Sequence, residues 1–472
     1  MSMTKRAKAV LCVFAVPVAA WAAASLYFTI AGLDASGDCL CEYLPEQRNL
    51  APCENAYVAI KEFSYNVPSN GTPLFCDHRL RTAYLDGTTN RLDLAEAARA
   101  YLAAESNTVA TAERILAAKG IDVPFGESLQ ATEHFCMLMR IANIYKVKAT
   151  YEAAQGDLAA GRQSLLDVYR IGRFLQTSDS LSLGISTVIG SAFCGSALTT
   201  GATPLFAPDE DEAWRAKLRE LAFAELAGDK ERAKTATKRS VAGYRRATIH
   251  NYETNRTMLV GHAISGHRGL LDLVRLTSEQ LSDERHKGFE LRFLAALASA
   301  CPGYARYSFQ PNRTLGQVRG DAGEFCRKID EDSYDVEYAF RPADVRKHRF
   351  SRNWIGDALA KEECHEGFYR LFFRTRFFCR AFAATMACRS YKAKHGKYPE
   401  ALSDLVPEFL AEVPRDPFDG GELRYNATDH FIWTRGEKLD FDGKVEFLDN
   451  GKPRIKGIRN YRCVYFLDER PR

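Results

Sequence analysis

Residues 391–410 read YKAKHGKYPEALSDLVPEFL and residues 413–425 read VPRDPFDGGELRY, and these stretches decide the fold of the C-terminal part of the chain. Gly396 is typical of the end of a helix, and Tyr398-Pro399 begins a short helix after it. Pro407 and Pro414 then break the chain again. The sequence DPFDG at 416–420 predicts a turn.

An antiparallel hairpin is predicted after this turn. Residues 423–425 and 431–434 carry strand-forming side chains, and residues 426–430 join them. On the other side of the quoted stretch, apolar residues recur at helical spacing over residues 355–394. We therefore expect residues 355–472 to form a long helix followed by a small α+β module with an antiparallel sheet.

These motifs resemble the C-terminal half of the major pseudopilin of the type II secretion system. The matching elements are Tyr-x-x-x-x-Gly-x-Tyr-Pro, then Leu-Val-Pro and Val-Pro-x-Asp-Pro-Phe, within residues 382–443. The resemblance implies a final three-strand sheet and an association with a secretion or pilus-like machine. It also implies calcium binding in the last loop, where Asp440 and Asp442 are the matching residues. The N-terminal part of the chain lacks the Gly-Phe-Thr and Glu of a pseudopilin leader.

Residues 91–300 are predicted to form a body of helical hairpins. The sequence QGDL at 155–158 is typical of a tight turn between a helix over 128–155 and a helix over 158–175. The sequence AGD at 227–229 predicts a second such turn. A faint helical repeat and two unrelated hairpins both fit this spacing.

Two further segments lack a clear period. Residues 35–90 are expected to be an irregular, cysteine-containing segment, in which disulfides are favoured over a metal site because the spacing matches no closed zinc pattern. Its cysteines are Cys39, Cys41, Cys53 and Cys76. Residues 301–354 are expected to be a connector with some short helix, since three prolines interrupt them.

The N-terminus predicts a membrane anchor within residues 1–34. Lys5, Arg6 and Lys8 precede an uncharged stretch over residues 9–33, and a membrane-spanning helix needs about 20 apolar residues. Positive charge before the span favours a cytoplasmic N-terminus and an extracytoplasmic (periplasmic or cell-surface) body. A cleaved signal peptide, with small residues at 19–25, is the alternative. A second uncharged stretch over residues 180–208 is interpreted as a buried helix and a loop, with a second span as the alternative.

Composition and motifs exclude several classes of function. The formal charge is +4, from 64 basic and 60 acidic residues, so no bulk charge favours nucleic acid as a partner. Nucleotide-binding glycine motifs and the HExxH zinc motif do not occur. We therefore predict no catalytic, cofactor-binding or metal site and identify no small-molecule substrate. The histidines to inspect first for an unrecognised active site are His250, His262, His267 and His365.

The layout of anchor, helical body and C-terminal module also resembles a family of bacterial membrane-anchored proteins of unassigned activity. The sequence thus favours a mainly α, non-enzymatic cell-envelope protein that is held in the membrane by residues 9–33 and binds protein partners or itself. The alternatives are a component associated with a type II secretion or pilus-like machine, and an extracytoplasmic enzyme with an unrecognised active site.

Overall fold

The chain is mainly helical, with a small antiparallel sheet near its C-terminus. The computed structural model describes residues 21–27, 30, 33, 50–65, 84–85, 91, 94–123, 134–177, 184–208, 210–240, 303–339, 352–353, 364–447, 453–454 and 464–467. Its helices are α1 (Ala56–Tyr65), α2 (Ala95–Ala104), α3 (Ser106–Ala117), α4 (Met139–Ala154), α5 (Leu158–Thr177), α6 (Gly184–Gly201), α7 (Glu212–Leu226), α8 (Asp229–Ser240), α9 (Tyr304–Ser308), α10 (Pro311–Asp330), α11 (Val336–Ala339) and α12 (Cys364–His395). Its strands are β1 (Arg424–Asn426), β2 (Phe431–Trp433), β3 (Glu446–Phe447), β4 (Pro453–Arg454) and β5 (Val464–Phe466). A mainly α fold with a small sheet is therefore confirmed.

The chain divides into two compact units. The larger unit comprises residues 45–240, 324–341 and 365–472, and the smaller unit comprises residues 1–44, 241–323 and 342–364. The helical hairpins and the C-terminal module therefore belong to one unit, although the sequence pattern presents them as separate segments.

The hairpins of the larger unit turn at glycines. Gly156 between α4 and α5 has φ +93°, and Gly228 between α7 and α8 has φ +68°. Glycine adopts this left-handed conformation without the penalty that a Cβ atom brings. Both predicted turns are confirmed, and α4 packs against α5 as a helical hairpin.

Helices α5 and α6 cross with their backbones in contact. A Cβ atom added to Gly190 would lie 2.4 Å from the carbonyl oxygen of Gly172, and one added to Gly172 would lie 2.6 Å from the carbonyl oxygen of Gly190. Atoms at such distances overlap, so each glycine is required by the other helix. Among the glycines of the described residues, none lies closer to the backbone of a neighbouring helix than Gly190.

The uncharged stretch 180–208 contains a buried helix, as predicted. Ile189, Phe193, Cys194 and Ala197 of α6 belong to one apolar cluster with side chains of α1, α3, α4 and α5. Across the described ranges, no helix is both long enough and apolar enough to cross a membrane. Most of the predicted anchor, residues 9–33, lies outside the described residues.

Helix α12 runs through the centre of the larger unit. All eight residues from 381 to 388 are 0% exposed, which is typical of a helix that contacts protein on every side. Phe382 and Met386 contact Trp214 and Leu218 of α7. On the other side, Tyr369 and Phe373 stack in an aromatic cluster with side chains that include Tyr334 and Phe418. One helix thus joins the hairpins to the C-terminal module.

The C-terminal sheet has the strand order β1-β2-β5, with both pairs antiparallel. Tyr425 pairs with Ile432 across the predicted hairpin, which is confirmed. Strands β3 and β4 form a separate two-strand pair. The three-strand sheet that the resemblance implied is therefore present.

Asp416 holds the turn before this sheet. Its side chain is 0% exposed. Oδ1 accepts hydrogen bonds from the backbone N–H of Phe418 (2.9 Å) and the hydroxyl of Thr434 (2.7 Å), and Oδ2 accepts from Nη1 of Arg424 (2.8 Å). The turn at residues 416–420 is closed by a bond from the Gly420 N–H to the Asp416 carbonyl (2.9 Å). One carboxylate therefore ties the turn to β1 and to the end of β2.

Two segments differ from the sequence expectation. Within residues 35–90, expected to be irregular, α1 buries Tyr57, Ile60 and Phe63 at helical spacing. Within residues 301–354, expected to be a connector, α10 is a 20-residue helix. Pro311 is its first residue, a position where the missing N–H needs no partner, so this proline begins a helix and does not interrupt one.

The cap of α7 gives a prediction for pH dependence. Asp211 accepts a hydrogen bond from the Trp214 N–H (2.9 Å) and pairs with Nη2 of Arg162 (2.6 Å). The Trp214 bond, helped by Arg162, lowers the pKa of Asp211. A lowered pKa means that this carboxylate stabilises the fold above the unfolded pKa of about 4 and loses that effect as the pH falls further. We expect Asp211→Ala to lower the free energy of unfolding by about 1–2 kcal/mol near pH 7.

Urea unfolding of the full chain between pH 7 and pH 3 measures this effect. The difference between the wild type and Asp211→Ala should shrink below a pH of about 4. Asp211→Asn is the control, because it retains the acceptor for Trp214 and removes only the charge that faces Arg162. A difference that stays constant over the whole range would contradict the assignment.

Candidate functional site

The residues that the sequence suggested for chemistry do not assemble into a described site. His250, His262 and His267 lie outside the described residues, as does the side chain of His365. Ser186 lies in helix α6 and is buried. No group of three or more His, Cys, Asp or Glu side chains in the described ranges could hold a metal ion.

The cysteines of residues 35–90 do not form a described site either. Cys53 is free and exposed, so the disulfide favoured for residues 35–90 does not involve it. Cys39, Cys41 and Cys76 lie outside the described residues. In the last loop, Asp442 forms an exposed ion pair with Nζ of Lys444 at 2.8 Å.

A cleft in the larger unit brings together charges that are far apart in the sequence. It encloses about 480 Å³, open solvent at its mouth included. It lies among helices α5, α6, α7, α8 and α12. Its lining residues are Gln176, Thr187, Val188, Ser191, Glu225, Leu226, Asp229, Arg232, Ala233, Leu371, Phe372, Thr375, Arg376 and Cys379.

The first charge of the cleft, Glu225, is neutralised by its neighbours. This residue is 4% exposed. Its Oε1 accepts from Nη1 of Arg173 (3.1 Å), and its Oε2 accepts from Nε2 of Gln176 (2.8 Å). Gln176 also accepts from Arg173 (3.0 Å) and contacts the hydroxyl of Ser191 (3.2 Å). Buried charges need such partners, and Glu225 has them on both oxygens.

Arg376 is held between two carboxylates. It is 6% exposed, and its Nη1 donates a hydrogen bond to Asp332. Its Nε lies 2.6 Å from Oδ2 of Asp229, as an ion pair without the alignment of a hydrogen bond. Asp332 also faces Nζ of Lys230 at 3.7 Å. Burial lowers the pKa of Arg376, and the Asp229 charge opposes that change.

Arg232 differs from these side chains. Its Nη1 and Nη2 donate to the backbone carbonyls of Ala227 and Glu225, which are orphan acceptors at the end of α7. None of the described carboxylates forms an ion pair with it. Burial, followed by the nearby charge of Arg173, lowers the pKa of Arg232. The cleft therefore contains a guanidinium without a contacting counterion.

The thiols near the cleft are not nucleophiles. Cys194 donates to the Tyr169 carbonyl (3.6 Å), and Cys379 lies on the cleft wall with 2% exposure. Burial raises the pKa of both thiols, so each stays protonated at neutral pH. Among the residues that line the cleft, none pairs a nucleophile with a base.

No known protein family, curated protein or solved structure matches this chain. The sequence pattern does not predict the cleft. One feature of the sequence points to it: charged residues, such as Glu225 and Arg376, occur within apolar helical patterns.

Proposed function

We propose that this chain is a non-enzymatic, membrane-anchored protein of the cell envelope. Its folded body would lie on the extracytoplasmic side and bind protein partners or a second copy of the chain. The observation that carries the proposal is the central position of α12, which makes the hairpins and the C-terminal module parts of one core. A unit with one continuous core can present a fixed surface to a protein partner. The residues that line the cleft do not pair a nucleophile with a base.

Side-chain exposure near the N-terminus supports the membrane anchor. Large apolar side chains of the stretch 9–33 are more than half exposed: Trp21, Leu26, Tyr27, Ile30 and Leu33, at 52–64%. Water does not favour so much exposed apolar surface, whereas a bilayer does. Trp21 and Tyr27 are also residue types that favour the membrane–water interface.

Topology is the first test of this proposal. A peptide tag is attached after Arg472, and intact spheroplasts are treated with protease. We expect the tag to be digested from outside while a cytoplasmic marker stays intact, because one span with a cytoplasmic N-terminus exports the body. Deleting residues 1–33 should move the protein to the soluble fraction. A tag that is protected until the membrane is opened would overturn the proposal.

A second candidate function, association with a type II secretion or pilus-like machine, is favoured by the C-terminal module. Its order of long helix, DPFDG turn and three-strand antiparallel sheet agrees with what the resemblance implies. Membranes solubilised with detergent should then yield pseudopilins together with the tagged chain. Recovery of none would leave the first proposal standing alone.

A further inference from the structure

We infer that the cleft between α5, α6, α7, α8 and α12 is a binding site for a small monocarboxylate with a short apolar tail. This inference goes beyond the proposed envelope role and does not depend on the identity of a protein partner. It rests on the ion pairs of the cleft, on the remaining donors of one arginine and on the apolar side chains that line the same cleft.

One cation of the cleft has no carboxylate in contact with it. Of the charged residues that line the cleft, Glu225 faces Arg173 at 3.1 Å, and Asp229 faces Arg376 at 2.6 Å. Arg232 lines the same cleft, and none of the described carboxylates forms an ion pair with it.

The free donors of Arg232 suit a carboxylate. A guanidinium has five N–H groups in a planar fork, and two of those of Arg232 go to backbone carbonyls. About three donors remain for a ligand, and a planar carboxylate matches the fork with two parallel bonds. A dianion such as phosphate fits less well, because the carboxylates of Glu225 and Asp229 are close enough to affect the charge of Arg232.

The remaining wall determines the rest of the ligand. Apolar side chains from four helices line the same cleft as Arg232: Val188, Leu226, Ala233, Leu371 and Phe372. A short alkyl or aryl tail would remove these side chains from water, at about 25 cal/mol for each Å² of apolar surface that it covers. Charge at one end and an apolar tail at the other thus define the ligand class.

Calorimetric titration of the full chain in detergent micelles with sodium hexanoate tests the inference. Heats from protein-free micelles are subtracted, since hexanoate also enters micelles. We expect saturable binding of hexanoate and at least tenfold weaker binding of hexanamide, which has the tail without the charge, and of acetate, which has the charge without the tail. Equal binding of hexanamide, or no saturable heat with hexanoate, would overturn the inference.

Two variants locate the site. Arg232→Gln keeps a donor for the α7 carbonyls and removes the charge, so hexanoate should bind at least tenfold more weakly. Thr187→Phe retains Arg232 and adds a bulky side chain to the lining of the cleft, so it should abolish binding even if Arg232→Gln does not fold. Arg219→Gln, in an arginine that does not line the cleft, is the matched control and should bind as the wild type does. Wild-type affinity in Arg232→Gln or in Thr187→Phe would place the ligand elsewhere and refute the assignment.

Discussion

Gly190→Ala should destabilise the larger unit by about 3 kcal/mol, although alanine is the better helix former. The added Cβ would lie 2.4 Å from the Gly172 carbonyl oxygen and 2.8 Å from Cγ of Gln176. The first of these contacts is with backbone, so relief requires α5 and α6 to separate. Separation would also loosen the apolar cluster that α6 shares with four other helices. Urea unfolding of the full chain, followed by far-UV circular dichroism, measures the loss.

Gly320→Ala is the matched control for this substitution. Gly320 lies inside helix α10, and a Cβ atom added there would meet nothing within 4 Å. Alanine should therefore stabilise α10 by about 0.5–1 kcal/mol, from helix propensity alone. The same chemical change thus has opposite signs at the two sites. A Gly190→Ala protein within about 0.5 kcal/mol of the wild type would refute the close crossing.

Asp416→Ala should destabilise the C-terminal module by about 3–5 kcal/mol. Removal of a fully buried carboxylate leaves the Arg424 guanidinium, the Thr434 hydroxyl and the Phe418 N–H without their acceptor, and such groups are expensive to bury unpaired. Trp433 lies in β2, with the Arg424 guanidinium over its ring at 5.2 Å. The change in Trp433 fluorescence during urea denaturation should therefore occur at a lower urea concentration in Asp416→Ala than in the wild type.

Asp419→Ala separates this effect from a simple loss of charge. Asp419 contacts the same guanidinium through Nη2 of Arg424, but its side chain is 18% exposed against 0% for Asp416. An ion pair that water can reach contributes about 1 kcal/mol or less. Equal destabilisation by the two variants would show that Asp416 has no special role in the turn.

Local signals explain which elements were predictable. The hairpins turn at Gly156 and Gly228 because the left-handed conformation favours glycine, and that requirement can be read from a few residues. The same holds for strands β1 and β2 around residues 426–430. The prediction of a connector over residues 301–354 failed at Pro311. A proline inside a helix would break it, but Pro311 is the first residue of α10, where a proline is tolerated. The membrane anchor stays a prediction.

The cleft could not be predicted, because its charged residues and their partners come from helices α5, α7, α8 and α12, which the sequence does not place together. Arg173 and Glu225 are 52 residues apart, and Asp229 and Arg376 are further apart still. Helical periodicity identifies the apolar face of each helix but gives no neighbour for a buried charge. Which carboxylate faces which guanidinium is decided only when the helices assemble, and the unpaired state of Arg232 follows from that assembly.

The late position of α12 in the chain has a consequence for biosynthesis. Arg219 of α7 donates to the hydroxyl of Ser390 across 171 residues, and Trp214 and Leu218 need Phe382 and Met386 to complete their core. At about 5–20 residues per second, a ribosome takes roughly 10–35 seconds to cover that distance. During that interval α7 has the cover of α6, through Leu198, but not that of α12. This part of the core therefore stays incomplete until the last quarter of the polypeptide arrives.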